Sequence, residues 1–161
     1  MPKQRQSRQL DKTDLRILAT LQQEGRLSNV ALARSVNLSP TPCLERVRRL
    51  EREGFIKHYS AVLNPALLGA GLLVFVEITL QRTNREVFRE FRKSVTQFPE
   101  VLDCHLVSGN FDYLIKARVP DMKAYRNLLG ERLLSLPGVS GSRSYVVMEE
   151  LKETLALPID V

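Results

Sequence analysis

The chain has 161 residues, 43% hydrophobic and 26% charged, with 24 Lys and Arg against 18 Asp and Glu. That length fits one domain or two small ones, and the composition is that of an ordinary globular protein. The longest apolar run, Leu72 to Val76, is strand-sized, far short of the roughly 18 residues a membrane span needs. Two cysteines, Cys43 and Cys104, and two histidines, His58 and His105, form no zinc, disulfide or nucleophile motif, so the sequence calls for no metal or cofactor and argues against an enzyme. The basic start MPKQRQSRQL lacks the apolar stretch of a signal peptide, which predicts a flexible N-terminus over residues 1–10 and a cytoplasmic location.

The charge is unevenly placed. Residues 1–64 hold 12 basic and 6 acidic side chains, residues 65–161 hold 12 of each, and the net +6 therefore lies entirely in the first part. A basic segment joined to a neutral one points to a polyanion partner, for which double-stranded DNA is the leading candidate and a merely solubilising surface the bland one.

In chain order, Asp11 precedes an amphipathic run with Leu15, Ile17, Leu18 and Leu21 at helical spacing, ending at Gly25. Ser28 caps a second helix, Asn29 to Val36, with Val30, Leu32, Ala33 and Val36 on its apolar side, and Asn37 suits the left-handed turn that follows. Ser39 is placed to cap a third helix that opens with Pro40 and Pro42 and stops at Gly54. On that helix Cys43, Leu44, Val47 and Leu50 share one face, and Thr41, Glu45, Arg48, Arg49 and Arg52 share the other. This is the pattern of a helix-turn-helix, whose last helix enters the major groove, where Arg forks onto guanine or grips phosphate. Glu45 either accepts from a cytosine amino group or pairs with Arg49 one turn on. Phe55–Lys57 and Ser60–Leu63, joined through His58 and Tyr59, are expected to form the two strands of a wing.

A linker is expected over residues 65–71, after which the pattern changes. Strand is predicted for Leu72 to Leu80, Val101 to Ser108, Tyr113 to Val119 and Ser142 to Glu149, and helix for Arg85 to Gln97 and Asp121 to Leu136. The order βαββαβ predicts an α+β, ferredoxin-like sheet with both helices on one face. The first strand is apolar on both sides, so the other sheet face calls for a partner, met by a homodimer.

LSPTPCLERVRRLEREGFI, followed by LLVFVEITL, CHLVSGNFDYLIKARVPDM and YVVMEELKE, closely resembles the Lrp/AsnC (feast/famine) family of transcription regulators over about Leu10 to Leu155. The resemblance implies a winged helix-turn-helix over 11–64, an effector-binding and oligomerisation (RAM) domain over 72–150 and a tail over 151–161. It also implies dimers assembling into octamers, association with the nucleoid, and regulation of amino-acid metabolism genes by a small amino acid, with leucine expected. The implied DNA-binding stretch is Val30, Ala31, Leu32, Ala33, Arg34, Ser35, Val36, Asn37, Leu38, Ser39, Pro40, Thr41, Pro42, Cys43, Leu44, Glu45, Arg46, Val47, Arg48 and Arg49, to which the helical wheel adds Arg52. The implied effector site gathers Gly109, Asn110, Phe111 and Asp112 with the strand Tyr145, Val146, Val147 and Met148, and Met122 beside them. Asp112 suits an α-ammonium group, loop amides suit an α-carboxylate, and Met122, Val146 and Met148 offer an apolar wall. Related chains often carry Asp where Asn110 stands, so one charge is missing here. Two other readings remain open at this stage: a DNA-compacting protein without sensing, and a ferredoxin-like enzyme.

Overall fold

The computed structural model describes residues 9–81 and 85–160. It divides into two compact units, one running to Val62 and taking in the chain from Lys152 onward, the other Leu63–Leu151.

In the first unit, α1 (Lys12–Gln23) opens on a capping box. The Asp11 carboxylate accepts the Asp14 N–H at 2.8 Å, and the Asp14 carboxylate accepts the Asp11 N–H at 3.1 Å, satisfying backbone donors that a helix start leaves open. Ser28 caps α2 (Asn29–Ser35) by accepting the Ala31 N–H at 3.2 Å. Asn37 makes the turn at φ +57°, and Leu38 N–H closes it on the Ala33 carbonyl at 2.8 Å.

In α3 (Pro40–Arg52), Ser39 holds the N-cap position but its hydroxyl makes no capping bond, contrary to the sequence expectation. The reason is local: the third helical position is Pro42, which has no N–H to give. Ile17, Leu32, Ala33, Val36, Cys43 and Leu50 form the core, with Leu18, Leu21 and Val47 packed on it, whereas Val30, expected on the apolar side, is 49% exposed.

The expected wing strands are absent. Phe55 and Ile56 curl back so that both N–H groups reach the Leu50 carbonyl, at 2.9 and 3.2 Å, and residues 57–63 are exposed without strand pairing. A two-residue hairpin turn needs positive φ at one or both central positions, and His58-Tyr59 supplies no Gly, Asn or Asp to take it. Tyr59 instead donates its hydroxyl to Glu51 at 3.1 Å.

The second unit runs β1 (Leu72–Leu80), α4 (Arg85–Val95), β2 (Val101–Leu106), β3 (Tyr113–Val119), α5 (Met122–Asn127) with a π-helical continuation Leu128–Leu133, and β4 (Val139–Val146). The sheet order is β2-β3-β1-β4, antiparallel at every pairing, which is the ferredoxin-like arrangement. Val74, Val76, Ile78, Tyr113, Ile115 and Ala117 face Phe91, Val95, Tyr125, Leu128 and Leu133 of the helices. Phe91 stacks on Tyr113 with ring centroids 4.4 Å apart, and Phe88 meets the same ring edge-on at 5.9 Å.

Several boundaries differ from the sequence reading: α4 ends at Val95 rather than Gln97, β2 at Leu106 rather than Ser108 and β4 at Val146 rather than Glu149, and two further differences have a clear physical cause. The predicted single helix from Asp121 widens into a π-turn because Leu128 and Leu133 are both buried, at 2% and 0% exposure. Five residues apart on an α-helix they would diverge by about 140°, and a wider turn brings them to one side. Strand β4 starts three residues earlier than read, because Gly138 turns at φ +81° and its carbonyl takes the Gln81 N–H at 2.7 Å, delivering the chain straight onto β1.

Both edge strands are irregular, β4 slipping register opposite Thr79 and Leu80, and β2 between Val101 and Asp103. The face away from the helices carries Leu73, Phe75 and Leu114 among Glu77, Lys116, Arg118 and Arg143, so it is mixed rather than purely apolar.

Gly138 admits no side chain: its φ is left-handed and a Cβ would overlap Val87 of α4. Gly138→Ala should lower stability by about 1–3 kcal/mol, read as a fall in Tm, whereas Ala at Gly130, where nothing lies within 4 Å, should leave it nearly unchanged.

Candidate functional site

The most highly charged constellation ties the start of α1 to the middle of α3. Asp14 is fully buried, and its carboxylate meets Arg46 at 2.7 Å and Arg49 at 2.5 Å, while Arg46 also reaches Asp11 at 2.6 Å. Burial alone would push the Asp14 carboxyl up, but hydrogen bonds from Arg49, the Asp11 N–H and Arg46 outweigh it and hold it below its ordinary 3.8. Asp11 is lowered too, by the Asp14 N–H first and Arg46 next.

This arrangement sorts the arginines of α3. Arg46 and Arg49 are turned to the two aspartates, their side chains 32% and 18% exposed. Thr41, Glu45, Arg48 and Arg52, at successive spacings of four, three and four, are exposed. They form one outward stripe at helical period. Arg49, which the helical wheel put on that face, is committed to Asp14, a partner 35 residues away that short-range spacing does not reveal. In the rest of the sequence-derived stretch, Leu32, Ala33, Val36 and Cys43 are core; Ala31, Leu38, Leu44 and Val47 are half-buried; Arg34, Ser35, Asn37, Ser39, Pro40 and Pro42 are exposed.

In the second unit the sequence-derived effector residues fall into two groups. Asp112 lies alongside the C-terminal end of β1: its carboxylate accepts the Leu80 N–H at 2.8 Å, and its own N–H donates to the Ile78 carbonyl at 2.9 Å. Gly109, at φ +155°, and exposed Asn110 lead into it through Phe111. Tyr145 and Val146 pair with Phe75 and Val74 near the opposite end, and the Val147 N–H reaches the Leu73 carbonyl at 3.0 Å. From Val74 to Leu80 is six strand residues, about 20 Å. Within one chain, therefore, the loop and the strand do not face each other across a single pocket. Met122, 48% exposed, opens α5 just after β3 reaches Leu72, on the side of Val146 and Met148. Tyr145 donates to Glu77 at 2.8 Å, and Met148 is 95% exposed.

Both cysteines are free; burial pushes the Cys104 thiol up to about 11, the wrong direction for a nucleophile. Among the described residues no group of His, Cys, Asp or Glu is placed to hold a metal, and no helix is long and apolar enough to cross a membrane.

A family model described as the Lrp/AsnC ligand binding domain matches residues 73–157, and one described as winged helix-turn-helix DNA-binding matches residues 10–57. The leucine-responsive regulatory proteins of Escherichia coli K12 and Klebsiella pneumoniae are each 60% identical over 157 residues, covering 98% of this chain and 96% of theirs. A transcriptional regulator from Neisseria meningitidis, solved as an L-Met complex, has a TM-score of 0.89 at 41% identity, covering 93% of this chain and 97% of its own. Escherichia coli AsnC shares the fold, with a TM-score of 0.85 at 19% identity, covering 94% of this chain and all of its own.

The buried carboxylate sets an acid limit. Folding lowers the Asp14 and Asp11 pKa values, so their contribution is complete above about pH 4 and is lost as pH falls below 3.8 toward the folded-state values. Asp14→Asn, which leaves Arg49 without a carboxylate and Arg46 with Asp11 alone, should cost about 2–4 kcal/mol at neutral pH and flatten the acid dependence, both measurable by thermal unfolding from pH 2.5 to 7.

Proposed function

The chain is a DNA-binding transcription regulator of the Lrp/AsnC family, not an enzyme, and from that premise we propose that it reads operator DNA with the outward stripe of α3 and answers to a small amino acid. The observation that carries the DNA half is the sorting of the arginines. Arg48 and Arg52 project from a helix whose orientation is locked from behind by Asp14, and a locked helix presents its side chains to the groove with little ordering left to do. Glu45, between Thr41 and Arg48 on the stripe, is not paired with Arg49, which is committed to Asp14, and suits a cytosine amino group.

The amino-acid half rests on the ligand-binding domain and on the L-Met held by the Neisseria relative. Leucine is the specific effector we propose, in line with the relatives named for it. Asp112 anchors the ammonium: one carboxylate oxygen is held by the Leu80 N–H, which fixes the side chain and leaves the other to a ligand. Since the loop and Tyr145–Met148 lie at opposite ends of β1, a complete pocket takes the loop from one copy and the apolar residues from another. Effector binding and assembly are then the same equilibrium. The mixed outer face of the sheet is the surface we assign to the dimer, with octamers as the larger assembly and the nucleoid as its place of action.

DNA affinity should fall steeply with salt, with a log–log slope near −0.9 per phosphate neutralised. Arg48→Ala should weaken specific binding by about 1–3 kcal/mol in gel shifts without lowering Tm, whereas Arg49→Ala should lower Tm. If Arg48→Ala binds the operator as the parent does, the reading face is misassigned.

For sensing, leucine and methionine should shift oligomer size in light scattering, and Asp112→Asn, which keeps the bond to Leu80, should abolish that shift while sparing DNA binding. A parent chain indifferent to an amino-acid panel would leave a DNA-binding protein without a sensor.

A further inference from the structure

Residues 152–160 form neither helix nor strand, yet they belong with the DNA-binding unit. Their seat is Gln22, next to last in α1. Its Nε2 donates to the Leu157 carbonyl at 3.0 Å, and its Oε1 accepts the Leu157 N–H at 2.7 Å. A primary amide that satisfies both polar groups of one residue does what a neighbouring strand residue does in a sheet, so it binds extended main chain. Leu155 and Leu157 remain 85% and 72% exposed, so the polar pair and not apolar adhesion holds the segment.

The neighbouring residues prepare the contact. Thr154 accepts the Ala156 N–H at 3.1 Å and bends the chain just before it, and Pro158 fixes the backbone just after. At its root, Glu150 is paired with Arg118 at 2.6 Å, and Arg118 is only 8% exposed. The segment thus has an anchor at each end, each inside its own unit. It begins directly after Tyr145–Met148.

We propose that the C-terminal segment is an intramolecular ligand of the DNA-binding unit, a strap rooted by Glu150 and seated by Gln22, and that occupancy of this seat sets the affinity of the reading head for DNA. It rests on the reading of α3 as the DNA-reading helix; the seat itself does not. With the strap in place the head is held by two connections, the linker before β1 and the strap after β4. A change at Tyr145–Met148 then reaches α1 through about ten residues of chain.

Hydrogen exchange followed by mass spectrometry on the full chain tests the seat. In the parent, the Leu157 region should be protected; in Gln22→Ala it should exchange about tenfold faster or more, with β1 and β3 unchanged, and Gln22→Glu, which keeps the acceptor and loses the donor, should fall between. Operator gel shifts test the consequence. Gln22→Ala and a chain ending at Leu151 should change affinity in the same direction, by about threefold or more, and the two changes combined should give no further effect.

Free exchange of 152–160 in the parent, protection unaltered by Gln22→Ala, or additive effects in the combined variant would each overturn the proposal. If the parent binds no operator, the regulatory reading fails, while the exchange result still decides whether the strap is seated.

Discussion

The DNA-binding unit is organised around one buried negative charge. A carboxylate without water is costly by several kcal/mol unless donors surround it, and Asp14 has three: the Asp11 N–H, Arg46 and Arg49. These donors sit on two elements, so satisfying the charge fixes the position of α3 against the start of α1. Four arginines lie on α3; two are consumed in this task, and the remaining two are left at a defined angle to solvent. The recognition surface we propose is in this sense the remainder of a structural problem solved on the other side of the helix.

The sheet unit is held by ordinary apolar packing, and two of its polar contacts fix the chain near strand ends. Asp112 ties the loop before β3 to β1, and Glu150 ties the chain after β4 to Arg118 on β3. Both lie next to the residues we propose for sensing. A ligand engaging the loop, or displacing Tyr145 from Glu77, would act on side chains that already bear on backbone position.

Much of this was legible in the sequence because it follows from short-range rules. The span of β1 and the start of α4 agree with alternation and periodicity, and Asn37 takes the left-handed turn for the steric reason that makes Asn tolerable there. The misses have a common cause in partners distant along the chain. Arg49 looks outward on a helical wheel, and nothing at spacing three or four announces Asp14. The π-turn depends on Leu128 and Leu133 sharing one core, and the tail depends on Gln22, 135 residues away. The two strands expected at Phe55–Lys57 and Ser60–Leu63 do not pair for the opposite reason: alternation favours them, and the turn chemistry of His58-Tyr59 opposes the tight hairpin between them. The two-ended placement of the proposed effector residues follows from the strand register, which alternation alone does not supply.

The irregular register at both sheet margins bears on how this protein behaves when crowded. An open-ended sheet with straight, neutral edges invites its own kind to add strands without limit, and that route ends in fibres. Here each margin is kinked by a bulge and carries a charge, Asp103 on β2 and Arg143 on β4. Edge-to-edge growth is thereby disfavoured at both margins. The two bulges and the two charges are in this sense a guard against fibre growth at either edge.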